Sequence, residues 1–356
     1  MIKELNFSII REDLEFIISH DLPWENFNDS TILVTGAAGF LASYMVETFL
    51  HLNDKQNRNI KIIALVRDKE RALKRFCHYE NREDISFLVQ DVCEPIQLKK
   101  KENIDYIIHA ASQASPEYYE IDPIGTLSAN IIGTLNLLKI ADEKNIKNFL
   151  YFSSGGVLGN IEEKNIPAKE TDYGYLDPLE VGSCYSESKR MAENICVSWH
   201  TQHNTPIKIV RPSYIYGPAM RQDDERVFPK FISNIVNGRN LVIRGTGEKT
   251  RGFCYISDAT LAFFTVLLKG RDCNAYNVGT EKETSILELA NLLIEMHSNK
   301  NIKIIKKYDN EVVKESRSVV QRSCFDISKI NQLGWRPTCD LNNGIKRMID
   351  FYGGIK

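Results

Sequence analysis

No C-x-x-C pair occurs in this chain. Its eight cysteines, at positions 77, 93, 184, 196, 254, 273, 324 and 339, are scattered. Thioredoxin-like chemistry and cysteine zinc sites are therefore disfavoured, and reduced thiols in a cytoplasmic protein are expected. His200 and His203 form an H-x-x-H, but nothing nearby completes a ligand set, so no metal is expected. Neither charge sign dominates. Forty-five basic residues face 47 acidic ones, for a net charge of -2. No global field draws nucleic acid or an anionic membrane, and an anionic ligand must be held by local groups. No apolar run approaches the ~20 residues of a spanning helix, and no apolar stretch of signal length follows the first residues. With 43% hydrophobic residues, disorder is excluded as well.

What is present is an alternation. The 356 residues amount to about two domains at ~150 residues each. Residues 1–29 form an N-terminal extension in which Ile9, Ile10, Leu14, Ile17 and Ile18 repeat at helical spacing. From Thr31, short apolar runs read as strands: 31–35, 60–66, 87–89, 106–109, 149–153 and 208–210. Helical patterns lie between them, notably 40–52, 125–142 and 185–200. The expected fold is α/β: a Rossmann-type, doubly wound parallel sheet with a smaller C-terminal substrate lobe. We assign 30–212, with a return segment 253–280, to a dinucleotide-binding domain. Residues 213–252 and 281–356 form the lobe, and 287–296 reads as one of its helices.

Gly36 and Gly39 follow the first strand and open a helix. Glycine there permits a tight turn and lets a pyrophosphate reach backbone N–H groups at a helix N-terminus. Ala42 still allows close helix–strand packing where a third glycine often sits. Phe40 and Leu41 continue the turn. The second strand runs into Val66-Arg67-Asp68-Lys69, then Arg71. If Val66 ends the strand, Arg67 meets the adenosine ribose, where a guanidinium suits a 2′-phosphate. That favours NADP(H) over NAD(H). A one-residue slip brings Asp68 there instead and favours NAD. Asp91 and Val92, after the third strand, are placed near the adenine.

Tyr185 and Lys189 share one face of a predicted helix. A lysine one turn from a tyrosine favours phenolate. The phenol can then exchange a proton with a carbinol or carbonyl while a nicotinamide exchanges hydride. Ser153 and Ser154 end the preceding strand, and one hydroxyl can hold the reacting oxygen. Alone, the Y-x-x-x-K spacing is common and consistent with a solvated helical pair.

Together these residues resemble the extended short-chain dehydrogenase/reductases that modify nucleotide sugars, over almost all of the chain from residue 31. Thr35-Gly36-Ala37-Ala38-Gly39-Phe40-Leu41-Ala42 is similar to that group's cofactor turn. His109-Ala110-Ala111 resembles its fourth-strand motif. Ser154, Tyr185 and Lys189 match its catalytic set, and the segment from Arg211-Pro212 to Tyr216-Gly217-Pro218 resembles its entry to the substrate lobe. Ala114-Ser115-Pro116, Thr134-Leu135-Asn136, Ser183-Cys184-Tyr185 and Asp224-Glu225-Arg226-Val227 look closest to UDP-glucuronate decarboxylases, with dehydratases next.

The resemblance implies a nucleotide-diphosphate-sugar substrate. It implies Arg251 and Arg322 on the diphosphate, with Arg226 and Lys230 as further cations. Ser115 and Tyr118 would line the sugar pocket, and a homodimer would form through helices 125–142 and 185–200. It also exposes two departures. Where decarboxylases and dehydratases carry acidic residues after the catalytic Ser/Thr, this chain has Gly155 and Gly156. A 4,6-elimination needs an acid and a base, so dehydration is disfavoured. The first expectation is an NAD(P)H-dependent reductase of an NDP-ketosugar, serving surface polysaccharide precursors. The alternative is a redox-neutral UDP-glucuronate decarboxylase or NDP-sugar 4-epimerase that keeps its NAD. A non-catalytic dinucleotide-binding regulator has no use for the Tyr–Lys pair beside the serines.

Overall fold

The computed structural model describes residues 4–98, 102–221, 223–297, 301–308 and 321–353. In chain order the elements begin with α1 (Glu4–Ile18), β1 (Thr31–Thr35), α2 (Phe40–Gln56), β2 (Lys61–Val66), α3 (Lys69–Arg75) and β3 (Ile85–Val89). There follow β4 (Tyr106–His109), α4 (Glu117–Ile121), α5 (Pro123–Lys144), β5 (Asn148–Phe152), α6 (Cys184–His203) and β6 (Ile207–Pro212). The C-terminal part holds β7 (Ile215–Tyr216), α7 (Val227–Val236), β8 (Leu241–Arg244), β9 (Thr250–Arg251), β10 (Cys254–Tyr255) and α8 (Ile256–Lys269). It ends with β11 (Ala275–Val278), β12 (Thr284–Ser285), α9 (Ile286–Met296), β13 (Ile304–Lys307), β14 (Arg322–Ser323), α10 (Ser328–Asn331) and α11 (Leu341–Gly353).

The main sheet has seven strands in the order β11-β6-β5-β4-β1-β2-β3, and every pairing in it is parallel. The Rossmann expectation is met. β1, β4 and β5 are buried on both faces, which is why they read as unbroken apolar runs. β3, at the edge, is only partly buried. The seventh strand, β11, comes from the return segment and pairs with β6 from Ala275↔Ile209 to Val278↔Pro212. Its alanine and asparagine gave no strand pattern in the sequence. Chain order reverses between β1→β2 and β1→β4, so the carboxyl ends of β1 and β4 flank the crevice where ligands bind in open α/β sheets.

Helix starts are encoded locally. The Asp122 side chain accepts from the Gly125 N–H and Pro123 occupies the first turn of α5. Ser285 and Glu288 close a reciprocal capping box on α9. α5 is longer and more apolar than the sequence reading allowed. It spans 22 residues, long and apolar enough by composition to cross a membrane, yet half of its most apolar window is buried within the fold. It packs against α6 and β4.

The described part of the extension is not a loose prefix. Ile10, Leu14, Ile17 and Ile18 of α1 are buried in the main core, against α2, α8 and α11. Asp13 accepts from Tyr44 Oη (3.1 Å), Tyr255 Oη (3.1 Å) and Arg347 Nη2 (3.0 Å). One buried carboxylate thus joins α1 to α2, the start of α8 and α11. Burial pushes its pKa up to about 7, against the pull of Arg347.

Candidate active site

A cleft of about 570 Å³ opens at the carboxyl ends of the strands, and a smaller recess of about 330 Å³ adjoins it around Arg67 and Asp91. This is an ordinary size for a small-molecule site.

The glycine turn forms one wall. Gly36 has φ +63°, and a Cβ there would lie 2.8 Å from Ala111 Cα, so no side chain fits. A Cβ on Gly39 would lie 2.9 Å from Gly36 O. The bare backbone at the head of α2 is the cradle that a dinucleotide pyrophosphate requires. Gly36, Gly39, Phe40, Leu41, Arg67, Asp91, Val92, Ala110, Ala111, Tyr185, Lys189 and Pro212 all line the cleft or its recess. The residues fit a nicotinamide dinucleotide. Val66 ends β2, so Arg67 is the first residue beyond the strand. Asp68 caps α3, accepting from the Arg71 N–H at 3.0 Å, and lines the recess beside Arg67. Arg67 lies 3.9 Å from Asp91 across the recess. Arg71 lines the same recess.

The reacting end lies between β5 and α6. The two serines have separate duties. Ser153 donates to Glu193 Oε1 at 2.5 Å. Glu193 also takes Nε and Nη2 of the buried Arg211 at 2.8 and 2.6 Å. Arg211, expected only as part of a lobe-entry motif, is therefore a structural anchor. Ser154 lines the cleft with Tyr185 and accepts from the Gly156 N–H at 3.1 Å. Lys189 is buried and donates to Phe152 O at 2.6 Å. Its Nζ lies 6.0 Å from the Tyr185 ring centre.

The electrostatics depart from the sequence expectation. Burial pushes Tyr185 above the usual phenol range, while Ser154 and then Arg226 pull it back. Burial also drives Lys189 down to about 7, partly offset by Glu193. His109, of the fourth-strand motif, is wholly buried between Thr35 Oγ1 (2.8 Å) and Thr134 Oγ1 (3.1 Å). Burial holds it neutral, and its part is to tie β1, β4 and α5 together.

The expected substrate residues divide. Ser115, Tyr118 and Arg322 line the cleft; Arg251 and Lys230 are not among its described lining. Arg251 stacks over Tyr214 at 5.2 Å and donates to Thr250 O and Gln321 O. Lys230 pairs with Glu225. Arg322 is held by Glu283 (Nη2–Oε1 2.6 Å, Nε–Oε2 3.1 Å). Arg221, Tyr119 and Phe325 also line the cleft and were missed by sequence reading. Tyr119 carries only its closeness to the Ala114-Ser115-Pro116 motif as a signal, and Phe325 carries none.

Phe325 accounts for the missing carboxylates. A Cβ on Gly155 would lie 2.4 Å from Phe325 Cζ, and one on Gly156 would lie 2.7 Å from Ser186 Oγ. At Gly155 the space that an acidic side chain would take is filled by the ring; at Gly156 a single rotatable hydroxyl stands in it. Among the described lining residues the only carboxylates are Glu117 and Asp224, and Asp224 is paired with Arg226.

Residues 32–279 match the NAD dependent epimerase/dehydratase family. A dTDP-D-glucose 4,6-dehydratase from Bos taurus is 33% identical over 325 residues, covering 90% of this chain and 88% of that protein. UDP-glucuronic acid decarboxylase 3 from Arabidopsis thaliana is 33% identical over 318 residues, covering 89% and 87%. Among solved structures, the UDP-N-acetylglucosamine 4-epimerase of Methanobrevibacter ruminantium M1 shares the fold at TM-score 0.78 and 23% identity, covering 92% of this chain and all of that one. With its glycine turn and its Ser154, Tyr185 and Lys189 in one cleft, the chain belongs to the NAD dependent epimerase/dehydratase family and is an NAD-dependent nucleotide-sugar enzyme of the extended short-chain dehydrogenase/reductase type.

Proposed function

We propose that the chain runs a redox-neutral cycle at C4 of a nucleotide-diphosphate sugar, with inversion at C4 as the net result. When bound, the nicotinamide dinucleotide supplies the hydride acceptor and donor. Tyr185 takes the C4 hydroxyl proton and later returns it, and Ser154 holds the same oxygen. Lys189 carries the cofactor side of the pair, and Arg322 and Arg221 offer guanidinium groups to the diphosphate.

The observation that carries this reading is that Phe325 fills the space beside Gly155 and that Gly156, the other position after Ser154, carries no carboxylate. Elimination of water needs an acid and a base beside C5 and C6. Oxidation and re-reduction at C4 needs neither. A substrate with a C6 carboxylate becomes a β-keto acid on oxidation at C4 and can lose carbon dioxide without help from positions 155 and 156. The sequence likeness to decarboxylases and the fold shared with 4-epimerases both support a redox-neutral cycle.

One observation favours a second reading. Arg67 and Arg71 line the recess together with Asp68, whose carboxylate is engaged as the cap of α3. Two arginines suit a 2′-phosphate, hence NADP(H) and net reduction of a ketosugar.

One experiment separates them. The purified enzyme is incubated with UDP-glucose, UDP-N-acetylglucosamine and UDP-glucuronate, without added cofactor, and the sugars are followed by NMR. C4-inverted product, or carbon dioxide from the uronate, supports the redox-neutral cycle. Turnover only of ketosugars, with stoichiometric loss of NADPH, overturns it.

A further inference from the structure

Lys189 has to carry its charge in a covered place. Its side chain reaches from α6 to the end of β5, where Nζ donates to Phe152 O at 2.6 Å. The residue is 2% exposed, so burial works against the ammonium and lowers its pKa to about 7. The carboxylate one turn further along α6 is committed elsewhere. Glu193 Oε1 takes Ser153 Oγ (2.5 Å) and Arg211 Nε (2.8 Å), and Oε2 takes Arg211 Nη2 (2.6 Å).

Two tyrosine rings lie within reach of the ammonium, and the nearer is not the reacting one. Nζ is 4.9 Å from the ring centre of Tyr151 and 6.0 Å from that of Tyr185. Tyr151 is wholly buried, and its backbone is paired on both sides, with His109 of β4 and Ile209 of β6. The groups around the pair add little competing charge. The His109 ring lies 5.6 Å from that of Tyr151 and is held neutral, by burial first and by Lys189 second. From α5, Asn130 donates to Ser188 and Thr134 meets His109; both are uncharged. Burial keeps the Cys196 thiol of α6 protonated, and the Arg211 charge on β6 is taken up by Glu193.

We propose that Tyr151 is a positioning residue for Lys189: its ring face receives the ammonium, holds it at the carbonyl of Phe152 and keeps it charged beside Tyr185. This rests on the reading of Tyr185 as the group that moves the C4 proton. The π face of an aromatic ring attracts a cation, most strongly where water is excluded. A carboxylate in the same place would also hold the ammonium, but its negative charge would oppose a phenolate at Tyr185. The ring stabilises the cation and brings no net charge with it.

The test is a lysine titration that needs no turnover. Lysine isotope-labelled at Cε is incorporated into the NAD-loaded enzyme, and the NMR spectrum of Lys189→Met identifies the one resonance. Its midpoint is read in the wild type, in Tyr151→Phe and in Tyr151→Leu. It is read again with difluoro- and trifluorophenylalanine at position 151, which keep the ring's shape while withdrawing charge from its face. Circular dichroism establishes the fold of each protein. Tyr151→Phe should keep the wild-type midpoint. Tyr151→Leu should lower it by about one pH unit, the size expected for a desolvated cation over a ring, and the fluorinated rings should lower it in step with their fluorine content. In turnover, the basic limb of kcat should move down by the same amount, with KM for the nucleotide sugar changed by less than about twofold. A midpoint that the fluorinated rings leave in place, or a loss of kcat equal at every pH, overturns the proposal. A shifted midpoint in an enzyme that inverts no sugar would leave Tyr151 in its role and reject the proposed reaction instead.

Discussion

The contact between Gly155 and Phe325 allows a quantitative test of why this active site has no carboxylate beside Ser154. A methyl group placed on Gly155 would lie 2.4 Å from Phe325 Cζ and 3.2 and 3.3 Å from Cε1 and Cε2. Ordinary contact begins at 3.4 Å, so the ring must retreat by 3.4 − 2.4 = 1.0 Å. It has little room. Phe325 is 3% exposed, its backbone is bridged to Ala168, and its far edge faces Gly279. Overpacking of this kind costs about 1–3 kcal/mol, and we expect Gly155→Ala to destabilise by that amount. Phe325→Leu shortens the ring and should relieve the clash. The double variant should then be more stable than the sum of the single changes predicts, by at least about 1 kcal/mol of coupling. Gly156→Ala is the internal control. Its Cβ would meet a single hydroxyl, Ser186 Oγ at 2.7 Å, which can rotate away, so its cost should be well below that of Gly155→Ala. Urea denaturation with a common slope gives the stabilities of the wild type and of all four variants. If Gly155→Ala is neutral, or if its effect simply adds to that of Phe325→Leu, the site is not closed by Phe325, and the physical ground for excluding elimination goes with it.

Three further outcomes follow from the same geometry. The pKa of Lys189 is depressed from 10.5 to about 7 in the fold. Between those values the unfolded chain binds the extra proton, so this group makes stability rise with pH from about 7 towards 10.5. Lys189→Met should remove that part of the slope in cofactor-free protein, as read from urea midpoints at several pH values. Arg67→Ala with Arg71→Ala should weaken NADP(H) by tenfold or more while leaving NAD(H) within a few-fold. Fluorescence titration measures both, and equal losses would remove the case for a 2′-phosphate. Glu193→Gln leaves Arg211 buried with its charge unpaired and should cost about 3–5 kcal/mol. A loss under about 1 kcal/mol would show that the pair does not hold Ser153 and the β5–α6 junction.

The parts of this fold that were legible are those where one local signal suffices. β1, the turn through Gly36 and Gly39 and the head of α2 are adjacent in the chain, and a positive φ at Gly36 leaves a mark that only glycine can satisfy. Tyr185 and Lys189 are legible for the same reason, being one helical turn apart. What could not be read is set by contacts between distant segments. Phe325 reaches Gly155 from 170 residues away, and as a single aromatic in a polar stretch it has no pattern of its own. Arg251 and Lys230 carry the charge a diphosphate calls for, yet Tyr214 and Glu225 hold them elsewhere. Arg226, one of several cations in its segment, acquires its place from Asp224 beside it. The same limit applies to the electrostatics of the catalytic pair, in which burial raises Tyr185 and lowers Lys189. Spacing shows that a lysine stands near a tyrosine, but not that the lysine is buried. Burial decides the charge of that lysine, because desolvation penalises the ammonium of Lys189.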